Sequence, residues 1–196
     1  IVSFHQHNEE KIAENLLEKL RRGLSIALVS DAGTPLLSDP GMPLVRKIKD
    51  AGLTVVPIPG ACALIAALSA AGLPVTQFTF EGFLARTSSA RKAFFTEKLA
   101  ATTTWAFYES SHRILATLQD MAAVLPLDRQ VVIARELTKL HETIVKTSVS
   151  NALELVSQDD NMRKGEFVVI VEGATKSRKE DDVLSPEQAK ILALLM

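Results

Sequence analysis

Apolar and polar positions along the chain fall into two rhythms. Residues 8–22 (NEEKIAENLLEKLRR) repeat Ile12, Leu16, Leu17 and Leu20 at helical spacing, with Asn8 as N-cap and Gly23 as the stop. The apolar run at 26–29 has the length of one buried parallel strand. Residues 43–51 set Leu44, Val45 and Ile48 on one helical side and end at Gly52, and 53–58 form a β-branched run stopped by Pro59-Gly60. A small-residue helix, ACALIAALSAA at 61–71, closes on Gly72 and Pro74. Strand–helix–strand–helix in this order predicts a parallel sheet with right-handed crossovers.

Past Pro74 the rhythm changes. FTFEGF at 78–83 alternates apolar and polar positions, which predicts a half-exposed strand. A basic amphipathic helix is expected at 86–101, a strand at 103–108, a helix at 111–124 and a strand at 131–135. A short strand at 142–145, a helix at 151–156 and a β-branched strand at 166–171 complete the pattern. The expected fold class is therefore α/β, with a parallel-sheet domain over 1–75 and a mixed-sheet α/β domain over 76–174. Residues 175–196 read as a charged linker (ATKSRKEDD from 174) followed by a helix capped at Ser185-Pro186-Glu187, the start of a further helical element.

Composition narrows the function classes. Aliphatic-rich at 47% hydrophobic and 5% aromatic residues, with a net charge of −1, the chain has no global field for nucleic acid, so any RNA contact must use local basic patches. A single cysteine, Cys62, rules out an internal disulfide and fits a reducing cytoplasm. The longest apolar stretch, 61–73, is too short for a bilayer, so no membrane association is expected. The chain opens on Ile1 and runs directly into charged helix, which suggests that the natural protein begins earlier.

Chemistry-bearing residues gather where strands end. The first cluster is Ser30, Asp31, Ala32, Gly33 and Thr34, after the 26–29 run. Loops leaving the carboxyl ends of strands hold ligands in α/β sheets; Gly33 permits close backbone approach and Asp31 offers an acceptor for an amine or hydroxyl. Pro59, Gly60, Ala61 and Cys62 meet the next helix N-terminus, where free N–H groups and the helix dipole point. An ordinary strand-to-helix loop and tight helix–sheet packing are the plain alternatives. Neither loop is a dinucleotide GxGxxG or a phosphate-binding GxxxxGK[ST]. Tyr108, Glu109, Ser110, Ser111, His112 and Arg113 bring an acid, hydroxyls, an imidazole and a guanidinium together, or else simply cap a helix. Arg135, Glu136, Lys139, His141 and Glu142 would position a polar polymer or relay a proton, against the alternative of a surface ion-pair lattice. His5 and His7 with Glu9 lack a third well-spaced ligand, so no metal site is expected.

Taken in order, SDAGTPLLSDPG, PIPGACALIAALSAAGLP, FEGFLAR, FYESSHRI, ARELTKLHE and KGEFVVIVEG resemble the tetrapyrrole methylase superfamily, in its branch of ribosomal RNA cytidine 2′-O-methyltransferases. The blocks cover nearly the whole chain, from His5 to about Gly173. The resemblance implies S-adenosylmethionine in a cleft between two α/β domains, embraced by residues 31–34 and 59–63, with Tyr108 and Val169 approaching the adenine. It implies methyl transfer to a ribose 2′-hydroxyl of a cytidine in 16S rRNA of the small ribosomal subunit, in the cytoplasm, by a homodimer. Lys139 with a lowered pKa, Glu109 or Glu136 would be the base. Arg86, Arg91, His112, Arg113 and Arg135 would hold the RNA. A relative acting on a small tetrapyrrole, and a non-catalytic RNA- or partner-binding fragment, are the alternatives. The family's opening strand with its Pro/Gly-rich loop, and its C-terminal helical extension, fall outside the sequence.

Overall fold

Apolar runs and alternating segments in the second half of the chain close into one five-stranded mixed sheet in the computed structural model, which describes residues 1–5 and 7–175. The strands are β1 (Phe78–Phe83), β2 (Thr104–Ser110), β3 (Gln130–Arg135), β4 (Thr143–Ser148) and β5 (Glu166–Val171), in the spatial order β1-β2-β5-β3-β4. β1 and β2 run parallel; the β2–β5, β5–β3 and β3–β4 pairs are antiparallel. This is the mixed sheet expected for the second half. The linker and the helix expected beyond residue 175 lie outside the described residues.

Alternation decides which side chains go to which face. Trp105, Phe107, Val131, Ile133, Phe167, Val169 and Val171 pack against one helical layer, made of α4 (Ser88–Glu97), α5 (Ile114–Ala122) and α6 (Val149–Gln158). Ala106, Val132, Ala134, Val168 and Ile170 face the other way, onto α3 (Ala63–Ala70) through Leu64, Ala67 and Leu68. Small residues on both sides of that contact let α3 sit close to the sheet. The result is three layers with the sheet in the middle.

The amino-terminal third differs from expectation. α1 (Glu9–Arg21) and α2 (Met42–Asp50) form and bury Ala13, Leu16, Leu17, Leu44 and Ile48 together. Residues 26–29 and 53–58, however, belong to no strand. A β-branched apolar run records fitness for a sheet, whereas a strand also needs a neighbour to complete its ladder. Leu53 and Val55 still alternate inward onto the α1–α2 core. Their outward neighbours are bare: Val29 is 81% exposed, Val56 68% and Ile58 80%.

Candidate functional site

The ladder registers fix where the chemistry gathers. Phe83 pairs with Tyr108, Ser110 with Glu166, and Arg135 with both Phe167 and Thr143. The carboxyl ends of β1, β2 and β3 and the amino ends of β4 and β5 therefore share one end of the sheet. FEGFLAR, YESSHR, RELTK and KGE are brought together there from positions up to about ninety residues apart.

The two glycine-containing loops meet each other at this site. Thr34 donates its hydroxyl to the Ala61 carbonyl at 2.9 Å, and the Ser30 hydroxyl donates to the carbonyls of Ala32 (3.1 Å) and Gly33 (2.8 Å). Gly33 adopts φ +76°, a conformation costly for residues with a side chain, and a Cβ there would stand 3.7 Å from the Ala61 oxygen. Pro59, Gly60 and Ala61 are exposed and Cys62 is half-buried. Tyr108 links these loops to the sheet: burial, and then the adjoining Cys62, raise its hydroxyl above the ordinary range, while the Leu64 backbone acts in the opposite sense. Phe80 and Phe83 meet the Tyr108 ring edge-on, at 4.8 and 5.7 Å between centroids.

Several expected residues take other parts. Glu109 is buried and accepts from the Ser110 amide (2.8 Å), Arg113 Nε (2.7 Å) and the Thr117 hydroxyl (2.7 Å). Buried and holding three hydrogen bonds within the fold, it is placed to support Arg113 and Thr117 and has no solvent-facing oxygen. Arg91, only 4% exposed, pairs with Asp120 at 2.6 Å and donates to the carbonyls of Ala85 and Arg86. Burial alone would raise the Asp120 carboxyl; hydrogen bonds from Ser88 and Arg91 outweigh it and hold the group below its usual value. Arg135 is buried as well, donating to the carbonyls of Lys164 (2.6 Å) and His141 (3.0 Å). Arg91, locked to Asp120, has no face left for a phosphate, whereas Arg135 keeps its second terminal nitrogen clear of these two bonds. Val169 points into the core on the α4–α6 side, one position out of register with the face that Tyr108 shares with α3. Its side chain therefore cannot reach a ligand held at residues 59–63.

Lys139 reverses the expected sense. Its ammonium lies 2.9 Å from both Glu136 and Glu166. The hydrogen bonds it donates to these two carboxylates, Glu166 first, raise its pKa rather than lower it. Glu136 in turn is held below the usual carboxylate range, by Lys139 and then by the Glu166 amide. The backbone around this pair is strained, with Glu136 at φ +51° and Thr138 at φ +66°. Gly165 makes it possible: a Cβ there would lie 2.5 Å from the Glu136 side chain.

Beside these groups opens a cleft of ≈ 460 Å³ lined by Phe83, Leu84, Ala85, Arg86, Ser110 and Arg113. Arg86 is exposed and Arg113 half-buried in its lining, and His112, next to Arg113 in the chain, is exposed. Phe83, Glu166 and Gly165 were not singled out from sequence. Gly82 and Gly165, inside FEGF and KGEF, were the available signals. Among the described residues no three His, Cys, Asp or Glu side chains group as metal ligands, and no helix is long and apolar enough to cross a membrane.

Comparison with known proteins agrees with this architecture. The family model described as Tetrapyrrole (Corrin/Porphyrin) Methylases matches residues 1–153. The chain belongs to the tetrapyrrole methylase family. It is 51% identical over 193 residues to Ribosomal RNA small subunit methyltransferase I of Haemophilus influenzae, covering 98% of this chain and 68% of that protein. It is 52% identical over 195 residues to the protein of the same name from Escherichia coli O157:H7, covering 100% of this chain and 67% of that one. Among solved structures, the methyltransferase CobJ superposes with a TM-score of 0.62 at 21% identity, over 87% of this chain and 74% of its own. Diphthine synthase gives 0.61 at 16% identity, over 89% and 69%. These structural likenesses speak for the methylase fold alone.

Proposed function

We propose that this methylase transfers a methyl group from S-adenosylmethionine to a ribose 2′-hydroxyl of a cytidine in 16S rRNA. Half-identity to relatives named for ribosomal RNA small subunit methylation is the observation that carries the reading. The residues suit the cofactor. Left-handed Gly33 and exposed Gly60 leave backbone open on facing loops, Thr34 ties the loops together, and Asp31 is an acceptor for an amine or hydroxyl. Bound there, the cofactor supplies an electrophilic methyl on a sulfonium.

The chain must then bind RNA, orient one hydroxyl and take up its proton. Arg86 and Arg113 are the cations available to phosphates at the cleft, with Arg113 oriented by Glu109, and the exposed His112 beside Arg113 is a further hydrogen-bonding group for the RNA. Lys139, kept as an ammonium, is a donor and a positive charge for an oxygen losing its proton, and the Glu136 carboxylate is the acceptor beside it. Phe80 packs edge-on against Tyr108 and gives the site an apolar side. The same reading makes the protein a cytoplasmic homodimer acting on the small subunit.

The test is methyl transfer from labelled cofactor to unmethylated small subunits, with the product mapped by mass spectrometry. The expected result is one 2′-O-methylcytidine in 16S rRNA. Label in a tetrapyrrole and none in RNA would refute the reading.

A further inference from the structure

β1 carries an irregularity with a consequence for the cleft. Regular alternation would send Phe80 and Phe83 to opposite faces of the sheet. In the ladder with β2, however, Phe80 pairs with Ala106 and Phe83 with Tyr108, so three steps on β1 match two on β2. The extra residue is a bulge, absorbed where Gly82 adopts φ +64°. Phe83 is thereby turned to the same side as Phe80. Both rings touch Tyr108, yet Phe83 remains 55% exposed at the mouth of the cleft.

The segment that follows Phe83 is held with unusual redundancy. Arg113 donates to the Leu84 carbonyl at 3.1 Å, and Arg91 to those of Ala85 (3.3 Å) and Arg86 (2.8 Å). Each guanidinium is fixed in turn by a buried carboxylate, Glu109 for Arg113 and Asp120 for Arg91. Three successive carbonyls are thus pinned from behind, while the Phe83 ring and the Arg86 side chain face outward. Arg86 makes no ion pair among the described residues.

From this geometry we infer that the cleft is a subsite for one unpaired ribonucleotide, its base stacked on Phe83 and its phosphate held by Arg86. The inference rests on the RNA-methyltransferase reading and extends it to a particular contact. An aromatic face beside a cation is the means by which proteins hold single-stranded bases without regard to sequence. Preorganisation lowers the ordering cost of binding there. The bulge accounts for why a large apolar ring is left half in water.

The experiment titrates the full chain with a fluorescein-labelled single-stranded RNA oligonucleotide, and separately with S-adenosylhomocysteine. Phe83→Ala should weaken RNA binding about ten-fold, with the thermal midpoint and S-adenosylhomocysteine affinity unchanged. Phe83→Trp should restore RNA affinity and Phe83→Leu should not, since leucine offers area without a π-face. Arg86→Ala should flatten the slope of log K against log salt by about 0.7. Unchanged RNA binding in Phe83→Ala, or rescue by leucine equal to that by tryptophan, overturns the inference. So does a fall in S-adenosylhomocysteine affinity alone, which would assign the ring to the cofactor, and so does a parent chain that binds no RNA. Failure of the methylation reading looks different: Phe83-dependent RNA binding would persist while no methyl reaches RNA.

Discussion

Replacing Glu109 separates a structural carboxylate from a catalytic one. The side chain is fully buried and accepts from the Ser110 amide, the Thr117 hydroxyl and the Arg113 guanidinium, which is 23% exposed. Breaking a wholly buried ion pair by removing one partner costs about 3–5 kcal/mol. Water reaching Arg113 lowers that share, whereas the Thr117 hydroxyl, fully buried, loses a charge-assisted bond worth about 1.5–3 kcal/mol. Glu109→Ala should therefore destabilise the fold by about 3 kcal/mol. Glu109→Gln, which still accepts one bond, should cost about half as much. Urea unfolding followed by the fluorescence of Trp105, the single tryptophan and fully buried, reads both. With a slope of about 2 kcal/mol/M, the alanine midpoint falls by about 1.5 M. Methyl transfer by the glutamine variant, measured where it is folded, should remain within about ten-fold of the parent, because orientation of Arg113 is weakened and no proton acceptor is lost. An alanine variant as stable as the parent would refute the structural assignment. A folded glutamine variant devoid of activity would return Glu109 to the role of base.

Four other outcomes follow from the same end of the sheet. Lys139→Met should abolish methyl transfer and Lys139→Arg retain part of it, since the role needs a positive donor; an acidic limb in kcat/KM, with activity rising through about pH 7–8 and that rise gone in the arginine variant, would show a neutral amine at work instead. Because the folded pKa of Lys139 is raised above its ordinary value of 10.5, its ion pairs contribute stability below that pH and lose it as pH climbs through the folded value, which alkaline unfolding of the parent against Lys139→Met measures. Gly165→Ala, at φ +98° with a Cβ 2.5 Å from the Glu136 side chain, should cost about 1–3 kcal/mol in urea unfolding and displace the Glu136–Lys139 pair. Asp31→Ala should weaken S-adenosylhomocysteine binding by calorimetry at least ten-fold with an unchanged thermal midpoint, and equal affinity would remove Asp31 from the cofactor site.

Which parts of this molecule were legible in sequence depends on whether the partner lies in the same pattern. The sheet strands announced themselves because the apolar runs at Trp105–Phe107 and Val131–Ile133, and the alternation at Phe78–Phe83, are internal properties of each segment, readable without knowing the neighbours. The runs at 26–29 and 53–58 have the same apolar character, but the ladder that would make them strands needs another segment, and no pattern within the run supplies it. The blocks of the site were legible for the same reason as the strands: each sits at a strand end, and the register gathers the ends. The charges were not. Arg86 and Arg91 look alike in sequence, five residues apart in one basic helix candidate, yet one faces the cleft and the other is locked to Asp120 twenty-nine residues away. Lys139 is a candidate base in sequence only if burial or cations lower its pKa, whereas in space its neighbours are Glu136 and the distant Glu166. A charged side chain's function is set by its counter-charge, and the counter-charges here arrive through the fold. Arg91 and Glu109, misread as contacts to substrate and proton, are the buried supports that hold Arg86 and Arg113 in position. The chemistry of this end of the sheet is thus built in two tiers, with the sequence advertising both in the same letters.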